Sequence, residues 1–302
     1  MVEDIGAVIS KGFGTWKRNL NICVPFILEL VTVILFFILG ILIFTLIFIM
    51  PLVSQQNIDP ESLSPDEMLS LFSSVFSESM FLMIVVGLVL LLLYMVFSSF
   101  FTAGAIGMAK KALETGHTDL HDMFRAGSEN FLNLFLTNVL ISLLTIAGLV
   151  FLVPGIISIG DVSLFLSNPE SEAAGATLLV LGMLAWVFYI IALSIVLFFV
   201  NYALVVDNLD PISAIETGLA FFRHNILSAI FMWLFIIGVT VFISVIGEVA
   251  SYVDVIAQLW SFAELILSTI VIQPLITVWL TRFYLDRTEK KLYSFEEYML
   301  DY

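Results

Sequence analysis

Of 302 residues, 61% are hydrophobic, only 12% are charged, and the net charge is −15. A water-soluble domain carries about 25% charged residues, so the composition excludes an ordinary soluble protein and sends the surplus apolar side chains to lipid. The acidic balance also excludes nucleic acid as a partner.

The N-terminal stretch "MVEDIGAVISKGFGTWKRN" has no short apolar core and no small-residue cleavage site, so it is expected to stay on the chain rather than act as a cleaved signal. Crossing a bilayer takes about 20 apolar residues. Six runs qualify: 22–50, 80–106, 131–159, 176–205, 226–247 and 259–281. "VPF" at 24–26 and "LVPG" at 152–155 are the expected breaks, because proline removes a backbone donor. Cys23 is the single cysteine, which excludes an intrachain disulfide and reads as a small buried hydrophobe.

All 11 lysines and arginines fall on one side of a six-span arrangement. Lys11, Lys17 and Arg18 precede the first run, Lys110, Lys111 and Arg125 follow the second, Arg223 follows the fourth, and Arg282, Arg287, Lys290 and Lys291 follow the sixth. The loops 51–79, 160–175 and 248–258 carry none and are purely acidic, read as a solvated outer surface with a cation-attracting vestibule as the alternative. Basic residues are retained in the cytoplasm during insertion. The expectation is therefore a multi-pass protein of the plasma membrane with both termini cytoplasmic.

Similar stretches precede alternate runs: "KGFGTWKRNLNI", "DMFRAGSENFLNL" and "IETGLAFFRHNILSAI". Each mixes aromatic and basic residues and ends near an asparagine (Asn19, Asn130, Asn225), expected to N-cap the run that follows. The predicted fold is an all-α membrane bundle of six transmembrane helices in three tandem hairpins, each preceded by a cytoplasmic interfacial amphipathic helix. The units are 1–108, 109–206 and 207–285 within one membrane domain, with a tail over 286–302. That tail, rich in charge and tyrosine, reads as an amphipathic or partner-binding peptide.

"HTDLHD" at 117–122 is the densest group of metal-ligand types. Gly116 reads as a helix C-cap, Asp119 as the N-cap of the next helix and Asp122 as a first-turn acid. A three-histidine site of His117, His121 and His224 is the weaker alternative to histidines facing lipid headgroups. No metal or other cofactor is expected.

Ionisable groups inside membrane spans are functional candidates. Glu29 and Glu264 are the two here, with Glu264 near the outer boundary. Glu29, Asn138, Asn201 and Gln273 fall about 9–15 Å from the cytoplasmic ends of their runs, at 1.5 Å per residue. They are candidates for one inner-leaflet ligand or proton pathway, against the alternative of ordinary interhelical hydrogen bonds. Pro274 frees the carbonyl of Ile270 for a ligand or a side chain. There is no "GxSxG", "HExxH" or phosphate-cradling glycine loop, so no enzyme activity is expected.

"FFTAGAIGMAKKALETGHTDLHDMF", "LVPGI" and "NYALVVDNLDPISAIETGLAFFRHN" together resemble a broad group of uncharacterised prokaryotic membrane proteins. That group is similar to the membrane domain fused to some glycerophosphodiester phosphodiesterases. The resemblance covers roughly residues 100–230 and implies a helical membrane fold without the catalytic barrel. The combined expectation is a non-enzymatic protein that binds membrane lipids or another hydrophobic ligand, or acts as a scaffold through its tail. The alternative is a transporter or channel working through the residues around Glu29.

Overall fold

The computed structural model describes residues 3–50, 65–160, 165 and 172–293, with side chains described throughout except over 65–78. The acidic stretch 51–64 and the last residues of the tail, 294–302, lie outside the described residues. The described secondary structure is entirely helical.

Helix α1 (Ile5–Arg18) opens at Asp4, whose carboxylate accepts from the Ala7 amide at 2.6 Å. A 3₁₀ turn over Leu20–Cys23 feeds α2 (Val24–Phe44), which has Pro25 in its first turn. The missing amide of a proline costs nothing at that position, so "VPF" starts a helix instead of breaking one. A π turn, Thr45–Ile49, continues it.

The next helix, α3, runs from Pro65 to Thr115, 51 residues. At 1.5 Å per residue it is about 76 Å long, well beyond a ~30 Å hydrocarbon core. The stretch 65–79 was expected as loop, but its backbone is helical. Met68, Phe72 and Val75 recur there at helical spacing behind a proline suited to a first turn.

Helix α4 (Leu120–Ala147) follows, then a 3₁₀ turn at Gly148–Leu152 and the short α5 (Val153–Ser158), so the "LVPG" break occurs as expected. Next come α6 (Ala173–Val196) and α7 (Val200–Asp207), parted at Leu197–Phe199. The rest is α8 (Pro211–His224), α9 (Ile226–Ala250), α10 (Asp254–Leu267), a π turn over Ser268–Ile272, and α11 (Gln273–Arg287). Joined across their irregular turns, these give six helical segments long and apolar enough to cross a membrane: Leu20–Ile49, Ser79–Thr115, Leu120–Ser158, Ala173–Asp207, Ile226–Ala250 and Asp254–Arg287.

The buried core gathers at the end that carries the basic residues. Its fully buried side chains include Ile22, Met108, Met123, Leu204, Met232, Phe283 and Tyr284. Phe199 stacks on Phe283 with centroids 5.3 Å apart, and Phe221 packs on Tyr284 at 4.8 Å. Such ring pairs add about 0.5–1.5 kcal/mol beyond burial.

One arrangement occurs three times at this end. Asp4, Asp119 and Asp210 each cap a helix through a carboxylate that accepts a backbone amide. Eight residues on stand Gly12, Gly127 and Gly218, each pressed against a neighbouring helix: Trp279, Phe100 and Val200 respectively. Asn19 and Asn225, seven residues past their glycines, and Asn130, only three past its own, donate their side-chain amides to carbonyls one turn back, on Thr15, Ala126 and Phe221, at 3.0, 3.1 and 3.0 Å. Asn19 and Asn225 stand at the N-cap positions of the elements after them, but none of the three side chains caps the run that follows. Asn19 and Asn225 close the preceding helices, and Asn130 sits inside the unbroken α4.

The left-handed residues among those described complete the pattern: Gly116, Asn208 and Glu289 follow segments two, four and six. After the latter two, Leu209 and Lys290 amides reach back to Leu204 and Leu285, the six-to-one bond that satisfies orphan carbonyls at a helix end.

Candidate functional site

Four of the polar residues singled out inside the apolar runs line two clefts, and Glu264 lines neither. Glu29 and Gln273 share a cleft of about 350 Å³ with Phe26, Tyr94, Ser268 and Thr269, between segments one, two and six. Ser98 donates to Glu29 Oε1 at 2.6 Å, fixing the carboxyl at the cleft wall. One edge is the π turn Ser268–Ile272, a widening common at functional positions. The Ile270 carbonyl, beside Pro274, accepts from Cys23 Sγ at 3.0 Å. A side chain thus takes the acceptor that the proline leaves.

Asn138 and Asn201 lie in a second cleft, about 260 Å³, between α4 and the broken α6–α7 pair. Asn138 Nδ2 donates to Ser99 Oγ at 3.3 Å. Asn201 Oδ1 is buried without a donor, at a cost of about 1–3 kcal/mol for such a group. The four residues therefore do not converge on one pocket. The adjacent Ser98 and Ser99 tie the two clefts to the same stretch of α3, through Glu29 and Asn138. That serine pair, within "LLLYMVFSSFF", was visible in the sequence as a polar interruption.

The histidines fare differently. Asp119, His121 and Asp122 form the group of possible metal ligands among the described residues, with ligand atoms within 4.8 Å of one another. Neither His117 nor His224 belongs to it. Both carboxylates are already engaged in a capping box: Asp119 Oδ1 accepts from the Asp122 amide, and Asp122 Oδ2 from the Asp119 amide. His224 Nδ1 lies 2.7 Å from the Ala220 carbonyl, one turn back on its own helix. The arrangement is that of a helix start.

A polar groove of about 240 Å³ at the basic end, not anticipated from sequence, alternates Lys110, Lys111 and Arg125 with Glu114, Asp122 and Glu129. Lys110 is spent on the Val206 carbonyl and Arg125 on Glu129, so the groove has little uncommitted positive charge.

The N-terminus is clamped to segment six. Arg282, its side chain 5% exposed, makes two bonds of 2.7 Å to Glu3, and Lys11 adds a third at 2.7 Å. The Glu3 amide donates to Asp286, and Trp279 Nε1 to the Ile9 carbonyl at 3.0 Å above Gly12. Burial pushes the Glu3 carboxyl up, but the bonds from Arg282 and Lys11 with their charges outweigh it and hold the group below its ordinary value. Bonds from the Ser213 hydroxyl and amide hold Asp210 low as well. On the far side of α11, Tyr284 donates to Asp207 at 2.5 Å and Lys290 pairs with the same carboxylate.

A protein from Archaeoglobus fulgidus described as uncharacterized is 26% identical over 313 residues, covering 98% of this chain and 99% of its own. No solved structure matches. Nothing in these likenesses leads to glycerophosphodiester phosphodiesterases; what they support is kinship with uncharacterised proteins. The model of a domain of unknown function, DUF7847, matches residues 4–286, from the Asp4 cap to the Asp286 clamp, and the chain belongs to that family.

Proposed function

We propose that this is a multi-pass membrane protein, both termini cytoplasmic, that acts without catalysis by holding an amphipathic lipid in the cleft beside Glu29. In this reading the three Asp–Gly–Asn arrangements open three tandem hairpins at the cytoplasmic surface, led by the short helices α1 and α8 in the first and third units and by the first turns of the unbroken α4 in the second. The one-sided distribution of lysine and arginine supports the orientation.

The observation that carries the reading is the make-up of that cleft. Apolar walls from Phe26, Leu30, Val33 and Leu265 enclose a compact polar patch of Glu29, Ser268, Thr269 and Gln273. Ligand sites commonly combine apolar walls with a few convergent polar groups. An acyl chain suits the walls, and a headgroup bearing hydrogen-bond donors suits Glu29, already oriented by Ser98.

A phosphatidylethanolamine analogue with a diazirine near its headgroup tests this in nanodiscs. Labelling concentrated on residues 26–33 and 265–273, and lost in Glu29→Leu, is the expected result. Labelling spread evenly along all six segments, unchanged in the variant, would reduce the cleft to ordinary bilayer contact. A solute or proton flux in proteoliposomes that vanished in Glu29→Gln would replace ligand holding by transport.

A further inference from the structure

We infer that the cleft between α4 and the broken α6–α7 helix is a second binding site, independent of Glu29, that takes the hydroxyl group of an amphipathic lipid alcohol. Two separate observations point there. The first is Asn201 Oδ1, a buried acceptor without a donor at the cleft wall. The second is the interruption of the helix at Leu197–Phe199. Phe198 and Val200 amides reach back three residues, to Ile195 and Leu197, at 3.4 and 3.1 Å. The Ser194 carbonyl thereby loses its usual helical donor, on a residue that lines the same cleft. Irregular backbone at membrane depth persists where it lines a cavity or is buried in protein.

Three of the neighbouring donors are committed elsewhere. Asn138 Nδ2 serves Ser99, Ser194 Oγ donates to Ile191 at 2.8 Å, and Thr145 Oγ1 to Ile141 at 2.9 Å. The cleft therefore offers two acceptors, Asn201 Oδ1 and the Ser194 carbonyl, beside the Asn201 Nδ2 amide, and a group that both donates and accepts matches that set. No lysine or arginine lines it to pair a phosphate or carboxylate, and no aspartate or glutamate to pair an ammonium. An unpaired charge in such surroundings is strongly disfavoured, which leaves a neutral hydroxyl. About 260 Å³ holds the hydroxyl and the first carbons, and the remaining chain continues into the bilayer along Ile141 and Leu193.

The test uses the full chain in phosphatidylcholine nanodiscs with a diazirine-bearing dodecanol and its methyl ether, which keeps the chain but cannot donate. Saturable labelling of residues 138–145 and 190–201 by the alcohol should exceed that by the ether by about tenfold, the worth of one hydrogen bond to an otherwise unpaired group. Asn201→Leu should bring the alcohol down to the ether. Leu193→Phe, which narrows the cleft and leaves its polar groups intact, should lower alcohol labelling too. Glu29→Gln should change neither, which separates this site from the first. Equal labelling by alcohol and ether, or alcohol labelling indifferent to both Asn201→Leu and Leu193→Phe, would show that the cleft holds only water or bulk lipid and overturn the inference.

Discussion

The half of the bundle that carries the lysines and arginines and the half that does not are made from equally apolar helices, yet they pack differently. At the basic end Phe199, Phe283 and Val200 are fully buried. In the other half Phe37, Phe81, Ile157 and Phe188 are 70, 81, 76 and 70% exposed. Lipid tails are as apolar as leucine, so hydrophobicity does not draw helices together in a membrane; close packing of small residues and polar bonds do. The glycines follow that division. Gly12, Gly104, Gly107, Gly127 and Gly218 at the basic end all lie against another helix, whereas Gly40, Gly87 and Gly238 have nothing within 4 Å of where a side chain would begin. Two places in the other half depart from this: Gly247 meets Trp260 where segments five and six join, and the second supports the rule. Segments three and four stay together in the second half where Gly148, Gly155 and Gly182 meet Tyr189, Leu179 and Phe151, and where Tyr189 donates to the Leu144 carbonyl at 2.7 Å.

The sharpest way to break the contrast is to remove a polar clamp from the packed half. Arg282→Ala leaves Glu3 without its bidentate partner at a nearly closed site. Glu3 keeps its exposed Lys11 partner, so the loss is that of hydrogen bonds to a charged group, about 1.5–3 kcal/mol. The variant should melt clearly below the wild type in nanodiscs and release α1 to proteolysis near Lys11. A melting temperature within a degree or two would mean that the clamp is ornamental and the packed half is held by apolar contact alone.

A smaller effect follows from the same clamp. Glu3 and Asp210 are held below their ordinary values, so the unfolded chain takes up protons first as the pH falls. Their stabilisation is present above the ordinary carboxylate value and is lost as the pH drops through the folded one. Melting temperature should fall on acidification between about pH 5 and pH 3. Glu3→Gln should flatten that fall, and an equally steep fall in the variant would remove Glu3 from the explanation.

Much of the basic end was legible in the sequence because its determinants are local. Gly116 as a helix end, Asp119 with Asp122 as a helix start, and a carbonyl freed beside Pro274 are each read from a few neighbouring residues. The asparagine repeat was visible, but its role was not. Asn225 stands between two helices, and whether its side chain turns to the carbonyls behind it or the amides ahead depends on backbone angles that the residue type leaves open. The division of the polar residues between two clefts was hidden for another reason. Depth along a helix can be counted, but the facing of Glu29 toward Ser98, and of Asn138 toward Ser99, is set by how segments one and three pack on neighbouring faces of α3. The break at Leu197–Phe199 carries no proline or glycine, so nothing in "SIVLFFVN" announces it.

The most direct measurement is the thermal stability of Gly218→Ala beside Gly87→Ala in the same nanodisc. A methyl group at Gly218 would meet Val200 Cγ2 at 2.7 Å and its Cα at 3.0 Å, while at Gly87 it meets open space. The first substitution should destabilise by about 1–3 kcal/mol through overpacking. The second should be neutral or stabilise by up to about 1 kcal/mol through helix propensity. Shifts of opposite sign would place the core at the basic end and leave the other half open to lipid. A comparable loss at both positions would contradict that division and mean that the outer half closes as tightly as the inner one.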